Sequence, residues 1–319
     1  MSTVKIISAN CQGLHDSKKR KDVFQYYRQL NCNILCLQDT HFTQDMEDNI
    51  RNEWGYSAVF NSFTSQSRGV AILFNNNFDY KIHKTVVDNS GNFIALDIEV
   101  EDQKICFITA YGPNEDTPKF YEHLSKVATE LGNQNIIMVG DFNLVMDPKM
   151  DYYNYLHVNN PKAREKVIEI VSQLNLTDIY RELHPDNKRY TWRKPTPLKQ
   201  ARLDFFLISN AILNTVQKSE ILPSYKSDHS PISLCLKLNE LTHGKGLWKF
   251  NNSLLYDNEF LNTINQKIFE IKQRYALPVY NFSCLNKIPD DEIQFSVNDQ
   301  LFLETLLMEI RGKCISYSS

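Results

Sequence analysis

The sequence predicts an α/β fold: a four-layered sandwich of two mixed β-sheets packed face to face and flanked by helices, plus a helical C-terminal extension. Three observations lead there. Short apolar runs of strand character recur from Val4 to Leu238. Helical periodicity separates only some of them, so meander and α-crossover connections are mixed. After about residue 238 the strand runs stop, and two amphipathic helical patterns take over.

Taken in order, "VKIISANC" and "NILCLQ" read as strands around a helix over Lys18–Leu30, with Asp16 or Ser17 as its N-cap. Val23, Tyr27 and Leu30 give that helix one apolar face. "YSAVFNS", "GVAILF", "FIALDIEV" and "KICFITAYG" follow as four strands with short polar connectors, which implies antiparallel pairing. A helix over about 118–131, a strand over 135–140 and a helix over about 161–174 restore the alternation. "RYTW", "ARLDFFLIS" and "HSPISLCLKL" supply the last strands. The polar stretch "NELTHGKG" then reads as a linker, which divides the chain into residues 1–238 and 239–319. In the second part Phe260, Ile264, Ile268, Ile271 and Tyr275 line one helix face. A further helix is expected from Ser296, with Asp299 completing a variant capping box, and a stop at Gly312. The end at "SYSS" reads as a cut in a longer polypeptide.

Composition narrows the function. Apolar content of 42% and charged content of 23% are ordinary for a globular chain. No apolar run approaches the roughly 20 residues needed to span a bilayer, and "MSTVKIISANCQG" lacks the form of a signal peptide. The seven cysteines are scattered, mostly among apolar residues, and read as reduced core thiols of an intracellular protein. A net charge of −3 is a poor fit to a protein that grips nucleic acid by charge alone. It leaves room for a nuclease whose acidic residues hold a cation.

Chemistry gathers where apolar strands end. Asn10 follows "VKIISA", Asp39 follows "ILCLQ", Tyr111 follows "ICFITA", and Asp141 and Asn143 follow "IIMVG". Asp204 opens an aromatic strand, and Asp228 and His229 precede "SPISLCLKL". Any one of these alone would pass as a turn residue. Together they offer four carboxylates, an imidazole, two carboxamides and a phenol, which is what phosphodiester hydrolysis needs. Carboxylates unmatched by nearby Lys or Arg suit a hard divalent cation, Mg²⁺ foremost with Mn²⁺ as an alternative. Strand alternation sends Asp141 and Asn143 to one side and Phe142 to the other. The same alternation turns Asp228 away from His229, which leaves Asp204 to orient the imidazole and Asp228 for the metal or the water.

"SANCQGL", "LCLQDTHF", "SRGVAILF", "YGPN", "VGDFN", "RLDFFLIS" and "YKSDHSPI" occur in that order over about residues 4–238. They resemble the endonuclease/exonuclease/phosphatase superfamily, which implies a DNase-like fold. The nearest resemblance is to the AP-endonuclease-like endonuclease domain of LINE-type non-LTR retrotransposons, through "LTDIYRELHP", "YTW" and "GLWKFNNSLL". It implies that Asn10 and Asn143 bind phosphate or position the nucleophile, and that Asp141 orients or deprotonates water. Tyr111 would contact the scissile phosphate. Asp204 would hold His229, which binds or protonates a phosphate oxygen. Asp39 and Asp228 would lie around the metal.

Asp39 departs from the family's usual Glu. It is one methylene shorter but keeps charge and oxygen donors, so weaker metal affinity is expected rather than loss. His41 and Thr40 beside it read as structural or as supports behind the site residues. The basic strip "WRKPTPLKQAR" stands where the family places a DNA-contacting hairpin, which makes Arg193, Lys194, Lys199 and Arg202 candidates for contacts to double-stranded DNA.

The resemblance implies a Mg²⁺-dependent endonuclease that nicks one DNA strand, acting in the nucleus after synthesis in the cytoplasm. The 3′-hydroxyl it leaves would prime reverse transcription of the element's RNA. No YxDD-type motif occurs in these 319 residues, so the reverse transcriptase is expected farther along the same polypeptide. The alternatives are an AP endonuclease or other phosphoesterase of the superfamily, and a catalytically dead nucleic-acid-binding module.

Overall fold

The apolar runs assemble into two six-stranded sheets in the computed structural model, which describes residues 3–238, 252–277 and 293–317. In chain order the first elements are β1 (Val4–Asn10), α1 (Ser17–Gln29), β2 (Ile34–Gln38), α2 (Glu47–Trp54), β3 (Ala58–Asn61) and β4 (Val70–Phe74). Next come β5 (Lys81–Val87), β6 (Phe93–Val100), β7 (Gln103–Tyr111), α3 (Pro118–Leu131), β8 (Ile136–Asp141), β9 (Tyr152–Tyr153) and α4 (Pro161–Gln173). The first unit ends with β10 (Leu176–Asp178), α5 (Ile179–Leu183), β11 (Trp192–Lys194), β12 (Lys199–Ala201), β13 (Asp204–Ser209), β14 (Val216–Ile221) and β15 (Ile232–Leu236).

One sheet has the order β14-β15-β1-β2-β4-β3 and the other β10-β13-β8-β7-β6-β5. The pairs β1–β2 and β7–β8 are parallel, and each is joined through a helix, α1 and α3, because a parallel pair needs a crossover. All other pairs within the two sheets are antiparallel. Asp16 caps α1, its Oδ1 accepting from Lys19 N at 2.7 Å, and the helix starts one residue earlier than the periodicity suggests. Ile6, Ile34 and Ile72 of the first sheet meet Leu96, Phe107, Val139 and Phe206 of the second in one buried layer. The outer face of the first sheet packs on α1 and α2 through Phe24, Tyr27 and Trp54. That of the second packs on α3 and α4 through Tyr121, Leu124 and Val167. This is the four-layered sandwich.

Several elements differ from expectation. The four strands read as one run are two hairpins in two sheets, β3–β4 in the first and β6–β7 in the second. Between them lies β5, whose "KIHKTVV" pattern is mostly exposed at a sheet edge and carries little apolar signal. β14 was equally hidden, being half polar at the opposite edge of the first sheet. "RYTW" is strand only from Trp192 onward, in a separate three-stranded sheet ordered β11-β12-β9.

The chain divides into two units, Met1–Gly244 and Lys245–Ser319. In the second, α6 (Asn258–Tyr275) and α7 (Asp299–Tyr317) pair, with Lys267 Nζ 2.8 Å from Glu309 Oε2 and the Phe260 and Tyr317 rings edge to face at 5.2 Å. Asp257 Oδ1 caps α6 by accepting from Glu259 N and Phe260 N. Phe260 and Ile271 of the expected apolar face are buried, and Ile264, Ile268 and Tyr275 are half-buried. The second helix is capped by Asn298, whose Oδ1 accepts from Leu301 N at 2.8 Å, not by Ser296. It runs through Gly312 to Tyr317, because an interior glycine costs only about 1 kcal/mol. The expected linker over 239–246 and Cys284 lie outside the described residues. No helix among the described residues is long and apolar enough to cross a membrane.

Candidate active site

The register of the strands brings the distant polar residues to one end of the sheets. Antiparallel β8–β13 pairing places Asp141 opposite Asp204, and parallel β7–β8 pairing places Tyr111 beside Asp141. Gly140 makes the close approach feasible. Its φ is +142°, and a Cβ there would stand 2.0 Å from the Ala110 carbonyl oxygen, so no other residue fits between Val139 and Asp141. Asn10 reaches over from the end of β1 in the other sheet, its Nδ2 donating to Asp141 Oδ2 at 2.8 Å. His229, just ahead of β15, lies with Nδ1 2.9 Å from Asp204 Oδ2 and Nε2 3.7 Å from Asp141 Oδ2.

Asn143 arrives differently from the alternation argument. β8 stops at Asp141, and Asn143 is left-handed at φ +49°. Its backbone N–H donates to Asp141 Oδ1 at 2.8 Å, a turn closed by the Asp side chain, and its Nδ2 donates to the Gly112 carbonyl at 2.6 Å. The turn chemistry and the polar cluster are therefore the same feature. Phe142 is buried between the rings of Tyr121 and Phe205.

Burial sets the electrostatics. Desolvation, reinforced by the neighbouring Asp204, pushes the Asp141 carboxyl up to about 7 against His229 and the hydrogen bonds from Asn143 and Asn10. Desolvation alone would lower His229, but the Asp204 and Asp141 carboxylates outweigh it and raise the imidazole to about 9. Burial, with Asp39 and Asp141 nearby, holds the Tyr111 hydroxyl well above the usual tyrosine value, so it is a hydrogen-bond donor at neutral pH.

Asp141, Asp204 and His229 form a group that could hold a metal ion, with ligand atoms all within 4.8 Å of one another. Asp39 and Asp228, expected at the metal, stand outside this group. Asp39 is half-buried at φ +52°, and its Oδ1 accepts from Arg68 N at 3.0 Å and lies 3.1 Å from His41 Nε2. Asp228 is exposed, and its Oδ2 accepts from Trp192 Nε1 at 2.9 Å.

The basic strip divides. Arg193 and Lys194 are exposed on β11, and Lys199 on β12 has its Nζ 5.3 Å from the Tyr155 ring centre. Arg202 is no DNA contact. It is 1% exposed, and its guanidinium is closed between Asp151, at 2.8 and 3.0 Å, and Asp178, at 3.1 and 2.6 Å. Placed two residues before Asp204, it braces the start of β13 from inside.

Several supporting residues escaped the sequence reading. Gln38, fully buried, accepts from Ser8 Oγ at 3.1 Å and donates to Thr109 Oγ1 at 2.9 Å, tying the two sheets together behind the site. Its signal is a lone amide at the end of an apolar strand. Thr191 Oγ1 accepts from Leu203 N and Asp204 N. Ser227 Oγ donates to the Asn10 carbonyl at 2.8 Å and accepts from His229 N at 3.1 Å, so the first serine of "SDHS" joins β1 to the histidine.

Known proteins share this arrangement of strands. An AP endonuclease, LMAP, from Leishmania major superposes with a TM-score of 0.64 at 19% identity, over 74% of this chain and 88% of that one. An AP endonuclease from Archaeoglobus fulgidus gives 0.60 at 17% identity, over 74% of this chain and all of the other. The 3′ phosphatase NExo from Neisseria, bound to product DNA hairpin, gives 0.59 at 21%, over 73% and 99%. These likenesses establish the fold. By sequence, the chain is 26% identical over 268 residues to the Transposon TX1 uncharacterized 149 kDa protein of Xenopus laevis, matching 81% of this chain but only a fifth (20%) of that protein's length. It is 22% identical to the exodeoxyribonuclease of Bacillus subtilis (strain 168), over 74% of this chain and the whole of the relative. The pattern of the Endonuclease/Exonuclease/phosphatase family matches residues 7–229, from β1 to the histidine of the cluster, and the chain belongs to that family.

Proposed function

We propose that the chain is a Mg²⁺-dependent DNA endonuclease that nicks one strand of duplex DNA, leaving a 3′-hydroxyl and a 5′-phosphate. In this reading the 3′-hydroxyl primes reverse transcription of a non-LTR retrotransposon's RNA by a reverse transcriptase carried on the same polypeptide, with the reaction in the nucleus. One observation carries the hydrolytic part: Asn10, Asp141, Asp204 and His229, remote in sequence, form a single buried cluster at a strand-end rim, with Asn10 hydrogen-bonded to Asp141, His229 to Asp204, and His229 Nε2 3.7 Å from Asp141 Oδ2. The Xenopus transposon relative supports the retrotransposon part.

Each side chain has work matched to its state. Asp141, with a carboxyl near 7, suits a group that orients water and accepts its proton close to neutrality. His229 is an imidazolium fixed by Asp204, and it binds a phosphate oxygen or gives it a proton. The carboxamides of Asn10 and Asn143 position phosphate and nucleophile, and Tyr111 donates to the scissile phosphate.

The residues present fit a hard cation. Among the described residues no Lys or Arg pairs with Asp39, Asp141 or Asp204, and the crowding of Asp141 by Asp204 is what a divalent charge would relieve. Asp141 and Asp204 offer converging oxygens for it, while Asp39 and Asp228 add negative charge at the rim. When bound, Mg²⁺ supplies positive charge against the phosphate oxygens.

The test is conversion of supercoiled plasmid to the nicked form in Mg²⁺, with end-group analysis. Wild type should nick and leave ends that a polymerase extends. Asp141→Ala and His229→Ala should each slow the reaction at least about 100-fold. A wild-type chain that does not nick, or variants that nick as fast, would end the reading. The family and the fold also admit an AP endonuclease, and a duplex with an abasic site cleaved far faster than intact plasmid would move the assignment there.

A further inference from the structure

Arg68 is a cation set against an acidic rim. Its N–H donates to Asp39 Oδ1 at 3.0 Å, and its carbonyl accepts from His41 N at 2.8 Å, so its backbone is registered to the strand end that carries Asp39. The chain reaches it through a tight turn between β3 and β4, closed by Thr64 Oγ1 accepting from Ser67 N at 3.1 Å. Phe63 and Arg68 flank that turn, and the guanidinium lies 5.1 Å from the Phe63 ring centre. Phe63 N donates to the Phe42 carbonyl at 3.0 Å, which ties the other arm to the same segment. Phe63 is 39% exposed.

Two features place Arg68 beside the site with its charge unmatched. Arg20, Arg51, Arg181 and Arg202 each hold a carboxylate, whereas among the described residues none pairs with Arg68. Its charge also reaches the Tyr111 hydroxyl, where it works against burial and the Asp39 and Asp141 carboxylates. Stacking on an aromatic face leaves the edge N–H donors of a guanidinium free, and their fork matches two oxygens of a phosphodiester.

The geometry points to Arg68 and Phe63 as a clamp for the DNA nucleotide next to the bond that is broken: Arg68 takes its phosphodiester oxygens, and Phe63 holds the guanidinium in place and packs against its sugar. The clamp rests on the nuclease reading and adds to it a second cationic contact, beside that of His229. It is preorganised, because both arms of the turn are fixed to residues 39–42 before DNA arrives.

The test is equilibrium binding of a fluorescein-labelled duplex in EDTA, which prevents cleavage, across a range of salt concentrations, with plasmid nicking in Mg²⁺ measured in parallel. One lost phosphate contact lowers the slope of log K against log salt by about 0.9. Arg68→Gln should show that loss and a raised KM in nicking. Arg68→Lys should keep the slope. Phe63→Ala should keep the slope and lose about 2- to 5-fold in affinity. Lys104→Gln, the same charge change at the opposite end of β7 from Tyr111, should match wild type. Because the lysine and glutamine variants share one backbone, slope kept in one and lost in the other is not misfolding. A wild-type slope in Arg68→Gln, or an equal loss in Lys104→Gln, overturns the clamp while wild-type nicking keeps the nuclease reading. Failure of wild type both to bind and to nick overturns the two together.

Discussion

Replacing Arg202 with Met separates a buried brace from a DNA contact. The guanidinium makes four hydrogen bonds of 2.6–3.1 Å to Asp151 and Asp178 and is 1% exposed. Asp151 is fully buried, so the fold offers it no water in exchange. Removing one partner of such a group costs about 3–5 kcal/mol, mostly the penalty of the charge left behind. Here some compensation survives: Arg181 Nη2 stays 2.8 Å from Asp151 Oδ1, and Asp178 Oδ1 still accepts from Arg181 N. The expected loss is therefore at the lower end, about 3 kcal/mol. With a urea m-value of about 2–3 kcal/mol/M, that moves the unfolding midpoint down by about 1–1.5 M, which circular dichroism reads directly. Arg202→Lys should fall between, keeping the charge and losing the fork. An unchanged midpoint, joined to a smaller salt dependence of DNA binding, would refute the reasoning and return Arg202 to the DNA surface.

Three further outcomes follow from the same structure. Gly140→Ala should unfold the chain or lower its stability by more than about 3 kcal/mol, because the added Cβ meets the Ala110 carbonyl; a thermal melt within a few degrees of wild type contradicts this. The His229 imidazole is higher in the folded chain, about 9, than the roughly 6.5 of an unfolded one, so its stabilising contribution is complete below about pH 6.5 and is lost as pH rises toward 9. With EDTA present, the melting temperature should fall across that interval and fall less in His229→Gln, whereas a rise would contradict the assignment. A chain ending after residue 244 should keep nicking within a few-fold of the full chain, and loss of folding on truncation would make the second unit part of the core.

What could be read from the sequence, and what could not, follows from burial. β1, β2, β8 and β13 are buried along most of their length, so their apolar runs were plain, and the polar residues at their ends stood out against them. β5 and β14 lie at sheet edges with mostly exposed or half-exposed side chains and carry no such run, whereas β3, also at an edge, kept an apolar one. The pairing of His229 with Asp204 was legible because adjacent residues on an extended chain point apart. The left-handed turn at Asn143 was not, because alternation assumes that the strand continues. Arg202 misled for a general reason: a basic strip looks uniform in sequence, and only the fold shows that Asp151 and Asp178 face one member of it. The long-range bonds of Gln38 and Ser227 depend on which strands become neighbours, and no local pattern encodes that.

In the proposed reaction His229 and Asp204 act on a phosphodiester as one unit with Asp141. The most direct measurement is kcat/KM for plasmid nicking by wild type, His229→Ala, Asp204→Ala and the double variant. Residues that work as a unit are not additive, so the double variant should be no slower than His229→Ala within a few-fold. Losses that multiply, or four chains nicking at one rate, would contradict it.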